Sequence, residues 1–177
     1  VWPLFETQGN EKLSKACEQA IANRQSENEA SHALVHRSLI ASRLKDSDSL
    51  TDALVKLMNH KIRYDSLMTN HDYDQGSCYC TDFAIGYLGI INEALVYSHN
   101  DDIEFLPALP NSGFENGTLK GIKTRNRATV TELKWADAGK TISATVTSDI
   151  DQKLNIKAGG KSQTVEVKAG ESKTFKF

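Results

Sequence analysis

A chain of 177 residues with 39% apolar and 25% charged side chains can bury one core or two small ones, with the balance of a soluble globular protein. It holds no run of 18 apolar residues, so no membrane-spanning helix is expected. The net charge of −2 hides an asymmetry: residues 1–104 carry 9 basic and 16 acidic side chains (−7), and residues 105–177 carry 12 and 7 (+5). The lysines of the basic part recur along strand-like segments instead of clustering, so nucleic acid is not an expected partner.

The chain opens at Val1 without a Met and without a charged-then-apolar leader, as an excised fragment does. Val1, Trp2, Pro3, Leu4 and Phe5 form an apolar start. From Asn10 onward Leu13, Ala16, Cys17, Ala20 and Ile21 recur at helical spacing, which predicts a first helix. A second is predicted over residues 30–44, with Leu34, Ile40, Ala41 and Leu44 as apolar positions. A third follows the capping cluster Asp46-Ser47-Asp48-Ser49, with Leu50, Ala53, Leu54, Leu57 and Met58 on one face. Residues 60–80 are polar and aromatic without a sustained period, and a loop of that length inside a compact domain points to function or disorder. The loop ends at Asp82, at the mouth of a long apolar helix over residues 83–96.

Ser98-His99-Asn100-Asp101-Asp102 reads as a turn cluster, and Pro107 and Pro110 then fix an extended path. Beyond residue 118 short alternating segments recur, at residues 129–135, 141–147, 153–157, 164–168 and 172–177. Glycines at 121, 139, 159, 160 and 170 punctuate them. Five or six strands at that spacing predict an antiparallel β-sandwich. The fold class expected is therefore α+β: a helical segment over residues 1–104 and a small β module over residues 105–177.

Three groupings carry possible chemistry. His71, Asp74, Cys78 and Cys80 offer metal donors, but their spacing matches no established ligand pattern, so no metal is expected. His32 and His36 lie one helical turn apart, without the intervening Glu of a zinc-protease helix. Asp82 is the best candidate for a general base, since a carboxylate at a helix mouth after a long loop is rigidly held and open to water. Its plain alternative is a helix cap contributing about 1 kcal/mol. Cys17, Cys78 and Cys80 do not build a disulfide framework, and Asn116-Gly117-Thr118 fits a glycosylation acceptor but reads better as a turn.

The run Gly86-Tyr87, Glu93-Ala94-Leu95-Val96, Ser98-His99, Ile103-Glu104, Leu106-Pro107-Ala108-Leu109-Pro110, Leu119-Lys120-Gly121 and Leu133-Lys134-Trp135 resembles the C-terminal part of glycoside hydrolase family 95. These are 1,2-α-L-fucosidases and relatives, some acting on α-L-galactosides. The resemblance implies that residues 1–104 are the last helices of an (α/α)6 barrel and that residues 105–177 are the C-terminal β domain. It also implies an inverting mechanism, in which a Glu acts as acid and an Asp assists the attacking water, the two carboxyls standing about 6.5–9.5 Å apart. The family's Asp, in a segment Gln-Ile-Asp-Gly-Asn-Phe-Gly, falls on Asp82, where this chain reads Cys80-Thr81-Asp82-Phe83-Ala84-Ile85-Gly86. Phe83 and Ala84 stand where the family has Gly and Asn.

The resemblance further implies pocket-lining roles for His36, Arg37, His71 and Tyr79. The expected partners are an oligosaccharide or glycan substrate and the remainder of the barrel N-terminal to Val1. No cofactor is expected. The acid Glu of the family lies before Val1, so the fragment alone is expected to be inactive even where its parent is an enzyme. The competing expectation is a non-catalytic glycan-binding or structural module in which Asp82 only caps its helix.

Overall fold

The computed structural model describes residues 10–23, 30–58 and 79–177. Among them are four helices, α1 (Glu11–Asn23), α2 (Ser31–Leu44), α3 (Ser47–Leu57) and α4 (Thr81–Leu95). Nine strands follow: β1 (Val96–His99), β2 (Asp102–Phe105), β3 (Gly117–Leu119), β4 (Ile122–Lys123), β5 (Ala128–Ala136), β6 (Thr141–Ser148), β7 (Gln152–Ala158), β8 (Lys161–Val167) and β9 (Ser172–Lys176). The chain divides into two compact units, Val1–Ile91 and Asn92–Phe177.

In the first unit the helices begin where side-chain acceptors meet otherwise unpaired N–H groups. Asn10 Oδ1 accepts from the Leu13 N–H at 3.0 Å, and Asp46 Oδ1 accepts from the Ser49 N–H at 2.9 Å. Helix α2 stops at Lys45, which takes a left-handed conformation (φ 61°) and returns its N–H to Ala41 and Ser42. Helix α3 packs on α2 and buries Leu50, Ala53, Leu54 and Leu57, four of the five positions expected; Met58, the cap after the last turn, is exposed. The buried stripe of α2 holds Leu34, Val35 and Ala41, but also Ser31, Ser38 and Ser42. Ser38 Oγ donates to the Leu34 carbonyl at 2.8 Å and Ser42 Oγ to the Ser38 carbonyl at 2.9 Å, so two of these hydroxyls are satisfied within their own helix. On α1 only Cys17 of the expected stripe is buried. The two alanines there offer little apolar area to hide.

Two sheets make up the second unit, in the orders β1-β2-β7-β8 and β3-β5-β6-β9, with β4 also alongside β5. Each turns one apolar face inward. Ile103, Phe105, Leu154 and Ile156 of the first sheet and Val130, Leu133 and Val146 of the second are at most 2% exposed. Burying a side chain of that size is worth about 1.5–3 kcal/mol. The result is a β-sandwich, but not the purely antiparallel one expected. Strand β2 runs parallel to β7, with Ile103 opposite Ile156 and Phe105 opposite Ala158. The reason is connectivity. No hairpin joins β2 to β7; the chain leaves through the second sheet and returns, and a crossover of that kind permits parallel pairing.

The turn expected over residues 98–102 is also narrower than expected. Val96–His99 is itself a strand, paired antiparallel with β2 from Val96↔Phe105 to His99↔Asp102. Only Asn100 and Asp101 form the connection, with Asn100 in the left-handed region at φ 49° that Asn tolerates.

Strand β5 contains a bulge. Val130 faces Val146 while Glu132 faces Thr145, which leaves Thr131 unpaired. Val130 and Leu133 lie three residues apart, so an unbroken strand would point one of them at solvent. The extra residue resets the alternation, and both are fully buried. Further along the same strand the Trp135 ring covers Gly117 of β3. A β-carbon at Gly117 would come within 2.1–2.7 Å of three ring carbons. The indole N–H donates to the Phe114 carbonyl at 2.7 Å, which locks the ring in place. Gly117→Ala is therefore expected to overpack this site and destabilise the second unit by about 1–3 kcal/mol. A lowered denaturation midpoint, followed by tryptophan fluorescence, is the check; an unchanged midpoint would show that the ring can move aside.

Candidate functional site

Asp82 lies in the first turn of α4, one residue inside the helix that starts at Thr81, and its side chain is exposed. The residue is thus not the cap itself. It is a first-turn carboxylate, favoured there by the partial positive charge of the helix N-terminus. Among the described residues its hydrogen-bond partner is Cys80, whose thiol donates to Asp82 Oδ2 at 4.0 Å. Cys80 is buried, at 3% exposure.

The rest of α4 anchors that turn. Phe83 is buried and meets Tyr87 edge to face, with ring centroids 5.9 Å apart. Gly86, one turn beyond Asp82, lets α2 come close: a β-carbon there would lie 2.6 Å from Val35 Cγ1. Gly86 and Val35 therefore mark the crossing of α4 with α2, the helix that carries His36 and Arg37. On α2, His36 is exposed and stacks edge to face on His32, with centroids 6.2 Å apart. Arg37 is half-buried, and its Nη1 is enclosed without an acceptor. Tyr79 stands at the entrance to α4 and is 56% exposed. His71 lies outside the described residues, as do Cys78, Asp74 and Trp2. The structure thus brings His36 to His32 and Asp82 to Cys80. Among the described residues no group of three or more His, Cys, Asp or Glu gathers as metal ligands do.

The outer side of α4 has a different character. Ala84, Ile85 and Leu88 are exposed, Ile85 at 77% and Leu88 at 69%. An apolar stripe of that kind at i, i+1 and i+4 is unusual on a solvent-facing side of a helix.

At its other end α4 enters the β unit without a loop, and here lies Arg125, which the sequence reading did not single out. Leu95 closes the helix and Val96 opens β1. The carbonyls of Ala94 and Leu95 would lack helical partners. They accept instead from the N–H groups of Ala108 (3.3 Å) and Leu106 (2.9 Å), both in the Leu106-Pro107-Ala108-Leu109-Pro110 element. Leu106 adopts a left-handed φ of 54° to do so. Glu93 in the last turn pairs with Arg125 Nη2, while Arg125 also donates from its backbone N–H to Ser98 Oγ (2.9 Å) and from Nη1 to the Ser98 carbonyl (3.3 Å). The Leu-Pro-Ala-Leu-Pro element stands out in the sequence. Its capping role does not, because the donors are backbone groups that any non-proline residue carries.

A second polar cluster sits on the first sheet, where His99, Asp102, Asn155 and Thr164 form one cross-strand row. Asp102 accepts from Lys157 Nζ at 2.6 Å and Asn155 Nδ2 at 3.0 Å, and Asn155 Oδ1 accepts from Thr164 at 2.8 Å. Burial raises the Asp102 carboxyl. The hydrogen bonds from Lys157 and Asn155 and the charges of Lys157 and His99 outweigh it, and hold the group below the ordinary carboxylate value. The row is internally satisfied and reads as a brace across β2, β7 and β8.

The fold so described belongs to the class of chains in which a helical segment passes directly into a C-terminal two-sheet β module. Residues 97–176 match the family model described as "Glycoside hydrolase family 95, C-terminal domain". That is the part of the family to which the sequence resemblance assigned this end of the chain. None of the curated proteins compared with the chain matches it.

The low-lying Asp102 carboxyl has a consequence for stability. A carboxyl depressed in the folded state stabilises it above the unfolded value of about 3.9, and that contribution disappears as pH falls through the folded value. The unfolding midpoint of the native chain should therefore drop more steeply below about pH 4 than that of Asp102→Asn, which has already lost the contribution at neutral pH. Parallel acid profiles for the two proteins would remove Asp102 from the account.

Proposed function

We propose that this chain is the C-terminal part of an inverting glycoside hydrolase that releases terminal α-L-fucosyl or α-L-galactosyl residues from glycans. The observation that carries the reading is the match of residues 97–176 to the C-terminal domain of a glycoside hydrolase family. The helix that enters this domain without a loop is also the one bearing Asp82.

In this reading the helices belong to the end of an (α/α)6 barrel whose earlier helices precede Val1. The exposed Ala84, Ile85 and Leu88 stripe is apolar surface for those helices to cover. Asp82 takes the proton of the attacking water. An inverting enzyme needs that carboxylate held on rigid backbone across the sugar from a separate acid, and a first-turn position on a helix packed at Gly86 supplies the rigidity. The acid comes from the earlier part of the barrel, so the fragment by itself is inactive. His36, Arg37, His71 and Tyr79 line the sugar site. The enclosed Nη1 of Arg37 is a donor awaiting an acceptor, and sugar hydroxyls are acceptors.

Sugar release by the full-length protein from α-L-fucosylated and α-L-galactosylated oligosaccharides is the test. Asp82→Asn should lower kcat by about two to four orders of magnitude, as loss of a general base does, with helix content unchanged. Release that survives the substitution would leave Asp82 as a first-turn carboxylate and nothing more. Binding of these sugars without release by the native protein would identify a glycan-binding module.

A further inference from the structure

We infer that Asn116 is a site of spontaneous covalent modification: the Gly117 backbone nitrogen attacks its carboxamide, and the residue passes through a succinimide to aspartate and isoaspartate. The inference is independent of the glycosidase reading and lies wholly within the β unit. Residues 116 and 117 are the one Asn-Gly step in the sequence. Asn116 is exposed at the bend that leads into β3, and Gly117 is the first residue of that strand.

The reaction needs a backbone nitrogen that can reach the preceding side chain. Glycine allows this best, since no β-carbon hinders the approach or restricts the backbone. Asn116 Oδ1 accepts from the Asp137 N–H at 3.2 Å. Attack at Cγ places negative charge on that same oxygen, and a donor already aimed at it stabilises the developing oxyanion. The donor is itself well held. Asp137 and Ala138 both take a φ of 53° in the β5–β6 turn, and the Ala138 N–H donates to the Glu115 carbonyl at 2.8 Å. Among the described residues no acceptor takes Asn116 Nδ2, the leaving group. The Gly117 nitrogen gives up its proton and bonds to Cγ; the Cγ–Nδ2 bond breaks and ammonia leaves. Water then opens the ring. Opening at Cγ leaves an ordinary aspartate. Opening at the backbone carbonyl leaves isoaspartate, with the main chain routed through Cγ. The sum is carboxamide plus water to carboxylate plus ammonium.

Packing holds the reactive step in the sequence. Any β-carbon at Gly117 would come within 2.1–2.7 Å of three Trp135 ring carbons, so the glycine cannot be exchanged without moving the indole. Packing also sets the consequence. Isoaspartate adds a methylene to the main chain between Phe114, whose carbonyl accepts the indole N–H, and Gly117, on which the ring lies. The two anchors of Trp135 are displaced relative to each other, and the pairing of Gly117 with Trp135 is disturbed.

The experiment incubates the full-length native protein at mildly alkaline and mildly acidic pH. Peptide-resolved mass spectrometry reads conversion of amide to acid, enzymatic methylation counts isoaspartyl groups, and hydrogen exchange follows β3 and β5. Conversion at Asn116 should run at least about tenfold faster than at Asn100 or Asn111, neither of which precedes a glycine. It should rise with pH, because the nucleophile is the deprotonated amide. Exchange in β3 and β5 should quicken as isoaspartate accumulates. Asn116→Gln, whose longer side chain closes the corresponding ring far more slowly, should keep native exchange through the same incubation. Conversion at Asn116 no faster than at Asn100 and Asn111 would overturn the inference, since it would show that pairing with β5 holds the Gly117 nitrogen away. So would conversion that ignores pH. Equal quickening of exchange in Asn116→Gln would overturn the link from the modification to Trp135. Conversion is read on the native protein, so that arm decides even where the variant does not fold.

Discussion

The end of a helix leaves backbone carbonyls that must find donors, and how α4 meets that requirement organises the second unit. Its last carbonyls accept from the N–H groups of Leu106 and Ala108. Those donors can reach them only if β1 and β2 fold back as a tight hairpin, since residues 96–105 have to return to the helix end. The two prolines at 107 and 110 stiffen the returning segment, and Leu106 accepts an unfavourable left-handed conformation as part of the arrangement. Capping the helix and forming the first sheet are thus one event. The Glu93–Arg125 pair then extends the same junction to the β4–β5 connection.

Much of this architecture is legible in the residues themselves. Asp46 predicts the start of α3 because its short carboxylate reaches the Ser49 N–H. The buried face of α3 follows from a 3.6-residue period. The strands beyond residue 128 follow from period-two alternation and glycine punctuation; Gly159 and Gly160 take positive φ as a two-residue connection requires. The Asp82 position needed only a one-residue change, from cap to first turn.

What could not be read is informative for a physical reason in each case. The strand Val96–His99 was hidden because Leu95-Val96-Tyr97 continues the apolar run of the helix, and composition does not mark where a helix yields to a strand with no loop between. The parallel pairing of β2 with β7 was hidden because register between strands far apart in sequence is set by packing, not by local pattern. The bulge at Thr131 is half visible: Val130 and Leu133 are out of phase for an unbroken strand, which signals an irregularity without locating it. At the candidate site, residue types suggested Asp82, whereas Arg125, which pairs with Glu93 and Ser98, looks like an ordinary turn residue.

The parallel pairing of β2 with β7 has a bearing on how the chain is assembled. The hydrogen bond from Asn155 to Asp102 joins residues 53 apart in sequence, and strands β3 to β6 of the second sheet are threaded between them. During synthesis, α4 and the β1–β2 hairpin leave the ribosome well before β7 exists. Until it arrives, β2 presents an open edge. Non-local pairings of this kind close slowly. The β unit is therefore completed from its C-terminal end, and a chain that stops short of residue 155 leaves the helix-to-strand junction without the sheet that encloses it.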